Sequence, residues 1–340
     1  MDVSCSVAQR NDCEPLQDVA VVCKDARERA CSEYIRSWAG VTRGVDAMEI
    51  NYRTVTPETA LKFEIVSART VVTENQKYVA YTVMVTMAGA EEDPYPAVVE
   101  RRYTDFLNLF NSLKRDFPDL LLTFQFPKKA LVGNFSPETI SGRSNSFEQF
   151  LEVVGSTAQV RTCRQVTEFL QRQELTFALK LINNEEYEQA STLVENCFRI
   201  MNKLQTDRSI VVLQNLCLLI CVYEKLHDSK AMDLACLAVR RFQGVSDSDL
   251  LRYYVPLLNI SLQLSRKYGN DSASLGLEER LSDLRTRGIA LHDSTHLLKL
   301  LMDDLSPTYP KERTSVRQFT TSMPPLVGFV LFLFGSLEQR

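Results

Sequence analysis

Basic side chains occur at three places in this sequence in patterns suited to binding a phosphate group. The first is the pair Arg101 and Arg102, the second is Lys129, and the third is Arg143. A guanidinium group presents paired planar donors to phosphate oxygens, whereas a lysine ammonium acts as a mobile point charge. The three places together predict an anion-binding site. For the first pair alone, two solvated surface arginines are an equal alternative.

Arg101 and Arg102 lie where a strand is expected to run directly into a helix. Upstream, residues 81–87 alternate with a period near two and are rich in β-branched residues, which is typical of a half-buried strand. Downstream, the apolar residues at i, i+3, i+4 and i+7 form one stripe of a helix: Phe106, Leu109, Phe110 and Leu113. A strand-to-helix corner of this kind gives both arginines a rigid base from which to hold an anion.

The two later basic positions are also expected at defined points of the backbone. Pro127 stiffens the chain immediately before Lys128 and Lys129. Arg143 lies on a predicted amphipathic helix, four residues before the apolar anchor Phe147. The lysines are therefore expected on a stiff loop and the third arginine on a helix.

The order of these motifs, Arg-Tyr-x-x-Phe, Pro-x-Lys and Arg-x-x-x-Phe, resembles the phox-homology (PX) domain, the phosphoinositide-binding module of sorting nexins. The resemblance covers residues 61–172. It implies that Arg102 contacts the 3-phosphate of phosphatidylinositol 3-phosphate and that Tyr103 stacks beneath the inositol ring. It also implies that Lys129 reaches the 1-phosphate side and that Arg143 binds the 4- and 5-hydroxyls.

The loop that carries the lysines is unusually apolar. Leu131, Val132 and Phe135 lie beside the lysines and are interpreted as a membrane-insertion tip. Packing beneath the loop as a small satellite core is the alternative. The Pro-x-x-Pro loop usual in the family is reduced here to Leu120-Leu-Leu-Thr-Phe-Gln-Phe-Pro127, which leaves the headgroup preference open.

The pattern of strands and helices predicts an α+β fold followed by an all-α region. Strands near residues 63–69, 78–85 and 97–101 are separated by short turns, which favours a three-stranded antiparallel sheet with helices on one face. From Gln173 onward the strand signals disappear. Three stretches spaced roughly 41 residues apart each read as a helix end, a polar turn and a small residue that begins the next helix. They are 181–193, 225–234 and 266–275.

Repeated helical hairpins must stack in order to bury their apolar faces, with Ala190 and Ala231 expected at close helix crossings. The pattern resembles tetratricopeptide (TPR) repeats. A PX domain followed by such a TPR-like region resembles the sorting nexins that carry a PX-associated B domain, and Arg252-Tyr-Tyr-Val-Pro-Leu-Leu258 adds to that likeness.

The predicted organisation has four parts. Residues 1–58 form an N-terminal region expected to be largely disordered, 59–172 the PX domain, 173–304 the helical domain, and 305–340 a flexible tail. The tail contains a run of nine apolar residues, Leu326–Phe334, which is far shorter than the ~20 residues of a membrane-spanning helix. This run either docks on the protein or on a bilayer surface, or it is a variant terminus with no role.

Composition limits the classes of function. The formal net charge of −4 disfavours a polybasic nucleic-acid binder, so any anion site must be local. Nine cysteines without paired spacing favour reduced thiols in the cytosol, and Cys217 and Cys221 are expected in the core. Residues 1–10 lack the apolar stretch of a signal peptide. The three histidines show no metal-ligand spacing, and no phosphate-cradling or kinase motif occurs. No enzyme activity, cofactor, metal or nucleic-acid partner is therefore expected.

These expectations combine into one function. The chain is predicted to be a cytoplasmic adaptor, peripheral on the early endosome membrane, whose PX domain binds phosphatidylinositol 3-phosphate. Its helical repeats are predicted to bind protein cargo or a receptor tail. The alternative is a protein-only scaffold whose PX-like domain does not bind lipid, which the missing Pro-x-x-Pro favours.

Overall fold

A computed structural model describes residues 61–73, 76–88, 93, 95–130, 132–205, 208–289 and 296–306. The N-terminal region, Leu131 and the apolar run Leu326–Phe334 lie outside the described residues. The described residues of the PX-like region begin with three strands, β1 (Leu61–Val72), β2 (Lys77–Met87) and β3 (Ala97–Arg102). They form an antiparallel sheet in the order β1-β2-β3, which confirms the predicted sheet.

The helices that follow pack against this sheet. The first, α1 (Tyr103–Asp116), begins at the residue after β3, and a short 3-10 turn follows it at Pro118–Leu121. The second, α2 (Pro137–Ser156), is capped by the Ser136 hydroxyl, which accepts a hydrogen bond from the Thr139 N–H. A single turn, α3 (Ala158–Arg161), completes this part of the chain. The predicted α+β fold is therefore confirmed.

Aromatic rings fill the space between the sheet and its helices. Phe106 on α1 stacks on Phe147 of α2 with ring centroids 3.9 Å apart, and the ring of Tyr81 on β2 meets Phe147 edge-on. All three side chains are fully buried. Burial of this apolar area fixes the angle at which α1 and α2 leave the sheet.

The rest of the described chain is helical and is built mainly from three hairpins, as predicted. The hairpins are α4 (Arg164–Asn183) with α5 (Tyr187–Leu204), α6 (Ile210–Lys225) with α7 (Lys230–Arg241), and α8 (Ser248–Lys267) with α9 (Asp271–Thr286). A last helix, α10 (Leu297–Leu305), packs against α6 and α8. Within the described part of the chain, every helix is too short or too polar to cross a membrane.

The three hairpin turns share one backbone geometry. Glu185, His227 and Gly269 adopt the left-handed conformation, and successive members are 42 residues apart. In each turn the next N–H donates to the carbonyl five residues earlier, a common way for a helix to end. The recurrence confirms the predicted repeat and places His227 in a turn between helices.

The small residues predicted at the crossings do not all behave alike. Ala190 and Ala231 are fully buried, whereas the corresponding Ala273 is only half-buried. Cys217 and Cys221 are buried in α6, where burial raises the pKa of both thiols, so their predicted role as core residues is confirmed.

Helix α4 runs without a break from the PX-like region into the helical region. The PX domain was predicted to end at residue 172, but α4 begins at Arg164 and continues to Asn183. No proline or glycine lies near Arg172 to end it. One apolar core also runs from Phe63 to Leu301. The boundary predicted between Arg172 and Gln173 therefore falls inside a helix, and domain limits remain a prediction.

Candidate anion-binding site

Arg102 is the last residue of β3 and precedes the first turn of α1. The Asp105 carboxylate accepts a hydrogen bond from the Arg102 N–H at 2.9 Å, which fixes the backbone at the corner. The guanidinium donates to Gln76 Oε1 at 3.2 Å and lies 4.8 Å from the ring centroid of Tyr78. It forms no ion pair with any described residue. Its charge is therefore available at the surface of the sheet.

Arg101 does not belong to this site, so the expectation of two arginines facing one anion is wrong. Successive strand residues point to opposite faces, and Arg101 points into the protein, where only 1% of it is exposed. Its two terminal nitrogens donate to both carboxylate oxygens of Glu174 on α4, at 2.6 and 2.7 Å. It also donates to the carbonyls of Glu100 and Phe169. Its hydrogen-bonding capacity is used within the fold.

Tyr103 lies between the sheet corner and the lysine loop. Its hydroxyl donates to the Pro127 carbonyl at 2.8 Å, which ties the loop to the start of α1. The Arg143 guanidinium lies 4.5 Å from the centroid of the Tyr103 ring, a cation–π contact. Partial burial raises the pKa of Tyr103, and the nearby Arg143 acts against that rise. The ring is therefore held in a fixed position beside a second guanidinium.

Arg143 is buried but has no carboxylate partner among the described residues. It is 6% exposed and donates to Asn134 Oδ1 at 2.7 Å. Asn134 in turn donates to the Ala130 carbonyl at 2.7 Å, so the arginine is linked to the loop. A buried charge of this kind is costly unless a counter-ion approaches it.

The Tyr81 hydroxyl is a buried polar group beside Arg143. It is fully buried, and no described residue lies at good hydrogen-bonding geometry to it. Burial raises its pKa, and the neighbouring Arg143 guanidinium acts against that rise. The guanidinium is therefore the polar group nearest in effect to this hydroxyl, as buried polar groups require.

Lys129 lies in the loop between Pro127 and Ala130. The Pro127 carbonyl accepts a hydrogen bond from Tyr103, and the Ala130 carbonyl accepts one from Asn134. Its side chain is exposed and forms no ion pair with any described residue. Of the four predicted residues, Tyr103 and Arg143 are in direct contact, and both are linked to the loop that carries Lys129. Arg102 precedes Tyr103 in the chain and faces Gln76 and Tyr78.

Lys77, at the start of β2, was not predicted from the sequence. Its ammonium lies 4.8 Å from the centroid of the Phe135 ring, which places a further positive charge beside the loop. No local motif marks this lysine. Only the strand register, in which Ala80 pairs with Arg102, brings the beginning of β2 near the corner.

The apolar tip of the loop is described in part. Val132 is 89% exposed, whereas Phe135 is 40% exposed and lies beneath Lys77. Leu131 lies outside the described residues. Insertion of these three side chains into a membrane therefore remains a prediction. Of the two described side chains, Val132 is the more exposed.

Comparison with known proteins places this geometry in a family. The model of the PX domain matches residues 90–173. Sorting nexin-20 of Rattus norvegicus is 34% identical over 239 residues, which cover 69% of this chain and 75% of that protein. Sorting nexin-21 of Homo sapiens is 31% identical over 256 residues, covering 74% of this chain and 66% of that protein. Among solved structures, a designed CISK-PX domain is 24% identical and covers 32% of this chain and 98% of its own, with a TM-score of 0.28. This chain therefore belongs to the sorting nexin family of PX-domain proteins.

Proposed function

We propose that this sorting nexin is a peripheral membrane adaptor that binds phosphatidylinositol 3-phosphate through the site at Arg102, Tyr103, Lys129 and Arg143. The observation that carries the proposal is a pair of guanidinium groups without a carboxylate partner among the described residues. Arg143 lies against the Tyr103 ring, and Arg102 is the residue immediately before Tyr103. An anion with several oxygens would supply the missing partners.

The chemistry of the site favours a phosphorylated sugar ring over a bare phosphate ion. Two arginines offer planar paired donors, Lys129 offers a mobile charge, and Tyr103 offers an aromatic surface beside Arg143. A ligand that uses all four groups needs phosphate on more than one side and a ring in the middle. A phosphoinositide headgroup has both features, and its acyl chains would place the exposed Val132 at the membrane.

The helical hairpins are proposed to bind a protein. Stacked helix pairs form an extended surface of the kind that repeat proteins use for recognition. Under this proposal the PX domain directs the chain to early endosomes, and the hairpins hold a cargo protein or receptor tail there. The proposal describes an adaptor rather than an enzyme.

Vesicle co-sedimentation tests the lipid part of the proposal. Wild-type protein is mixed with vesicles that contain one phosphoinositide at a time, and the bound fraction is measured. We expect the tightest binding to phosphatidylinositol 3-phosphate. Loss of a charge-assisted hydrogen bond should weaken that binding by roughly 10- to 100-fold in Arg102→Ala and in Arg143→Ala.

Arg115→Ala is the matched control, because it removes the same charge from an exposed arginine at the far end of α1. It should bind vesicles as the wild type does. Equal binding by the wild type and both site variants would show that this PX domain does not use the site for lipid. If the wild type bound none of the vesicles, the protein-only scaffold would be the better account.

A further inference from the structure

An apolar cleft lies between the second and third hairpins. The cleft has a volume of about 250 Å³ and lies between α7, α8 and α9. Its walls are mainly small or apolar side chains from the three helices. They include Met232, Ala235, Val239, Ala273, Gly276 and Leu277.

The cleft exists because small residues on α9 are not matched by a close helix approach. Ala190 and Ala231 begin the second helix of their hairpins and are fully buried, but Ala273 is half-exposed at the edge of the cleft. A Cβ atom built on Gly276 would meet no atom within 4 Å. The space is therefore open to a side chain from outside.

The polar groups in the floor of the cleft are already satisfied. The Ser261 hydroxyl donates to the Leu257 carbonyl at 2.7 Å within α8. The Ser265 hydroxyl contacts the sulfur of Met232 at 3.7 Å. A ligand in the floor would therefore need apolar surface rather than hydrogen-bonding groups.

The rim of the cleft carries positive charge. Arg240 and Arg280 line it, and neither forms an ion pair within the described part of the chain. Arg280 donates to the uncharged Gln243 Oε1 at 3.1 Å and to the Val239 carbonyl at 3.5 Å, and its guanidinium also lies beside the Tyr254 hydroxyl.

Two of the four acidic residues near the rim form ion pairs. On α9, Glu278 pairs with Arg266 at 2.6 Å and Asp283 pairs with Arg287 at 2.8 Å. Asp233 on α7 and Glu279 on α9 are exposed, and neither lines the cleft. The charged side chains that line the cleft are both arginines, which favours an acidic partner.

We propose that this cleft holds one bulky apolar side chain of an acidic peptide segment in a partner protein, with Arg240 and Arg280 contacting the acidic flanks. The proposal rests on the proposed function, because it locates the protein-binding surface of the helical hairpins. A cavity of about 150 Å³ is large enough for benzene, so this cleft has room for a phenylalanine or leucine side chain. A single buried aromatic anchor of this kind commonly dominates a protein interface.

Gly276→Leu tests the cleft without weakening the fold. The new side chain should fill the space, and replacing a glycine within a helix favours the helix, so the melting temperature should be kept or raised. Ser282→Leu is the matched control, because it adds the same side chain to an exposed position of α9 that does not line the cleft.

The probe is a short fluorescent peptide with one phenylalanine flanked on both sides by aspartates, and its binding to the full chain is followed by anisotropy. Two further peptides replace the aspartates by lysines or the phenylalanine by alanine. We expect the acidic phenylalanine peptide to bind at least ~10-fold more tightly than either of them. Gly276→Leu should abolish this binding, and Ser282→Leu should keep it. Arg240→Glu should reverse the preference between aspartate and lysine flanks.

Three results would overturn the inference: no binding of the acidic peptide to the wild type, unchanged binding by Gly276→Leu, or equal binding of the lysine-flanked peptide. Vesicle binding is measured on the same proteins and reports the lipid part of the proposed function separately. A wild-type protein that binds vesicles but not the acidic peptide would thus count against the cleft alone.

Discussion

Two adjacent arginines at the end of β3 have opposite environments. Arg101 is 1% exposed and bound through two hydrogen bonds to Glu174, whereas Arg102 is half-buried and faces uncharged or aromatic groups. The residue type and the secondary structure are the same, and only the face of the strand differs. Arg101 has a carboxylate opposite its guanidinium and stabilises the fold. Arg102 has none and is available to a ligand.

Arg101 is one of several polar residues that join the sheet to the first helical hairpin. Asn196 on α5 pairs with both backbone groups of Val98, whose strand β3 lies at the edge of the sheet. Lys203, also on α5, forms a buried ion pair with Asp93 at 3.1 Å and donates to the Tyr95 carbonyl. The first helical hairpin therefore covers the sheet edge that would otherwise be open to pairing. The PX sheet and the first hairpin are held together by polar contacts as well as by the shared core.

The largest effect is expected from breaking the Arg101–Glu174 pair. Glu174→Ala leaves a buried guanidinium without a counter-charge, which should lower the free energy of unfolding by about 3–5 kcal/mol. Chemical denaturation measures the change. Glu168→Ala is the control on the same helix, since its ion pairs with Arg164 and Arg172 are exposed and should contribute less than about 1 kcal/mol. Similar losses in the two variants would contradict the distinction between buried and exposed pairs.

A smaller effect is expected from Asn196→Ala. This change leaves the Val98 N–H and carbonyl without their side-chain partner, and unsatisfied buried groups cost about 1–3 kcal/mol. Hydrogen exchange at the Val98 amide should accelerate along with the loss of stability. An unchanged exchange rate would mean that α5 does not protect the edge of the sheet.

The smallest effect is expected in the pH dependence of folding stability that arises from the Asp93 carboxyl group. Burial tends to raise its pKa, but the Lys203 ammonium and the N–H groups of Met87 and Tyr95 outweigh burial and hold the pKa of Asp93 below its usual value. A lowered folded-state pKa contributes stability that is present above the unfolded pKa and is lost as pH falls through the folded value. The stability advantage of wild type over Asp93→Asn should therefore shrink between about pH 6 and about pH 2. An advantage that stays constant would contradict an ionised Asp93.

The sequence was sufficient to predict the sheet, the hairpin repeat and the family motif residues, because each leaves a local pattern. Hydrophobic periodicity marked β2 and α1, and the polar turn before each small residue marked the 42-residue repeat. The pairing of Arg101 with Glu174 left no such pattern, because the two residues are 73 positions apart and meet only when α4 packs against β3. The role of Lys77 depends on strand register in the same way.

The predicted boundary at Arg172 also shows what a local sequence pattern can and cannot reveal. The sequence patterns typical of strands stop there, but helix α4 continues through that point. A change in pattern marks where one kind of packing begins. It does not mark where the chain can be cut, since Arg101 and Glu174 lie on opposite sides of that point.

The central claim is tested most directly by calorimetric titration of a soluble short-chain phosphatidylinositol 3-phosphate into Arg102→Ala and Glu174→Ala, with unfolding measured on the same samples. The account predicts that Arg102→Ala weakens ligand binding by roughly 10- to 100-fold and changes the free energy of unfolding by less than about 1 kcal/mol. Glu174→Ala should show the reverse, a large loss of stability with ligand affinity within about twofold of wild type under conditions where it is folded. Unchanged affinity in Arg102→Ala, or an equal loss of affinity in the two variants, would contradict the division of roles between the two arginines.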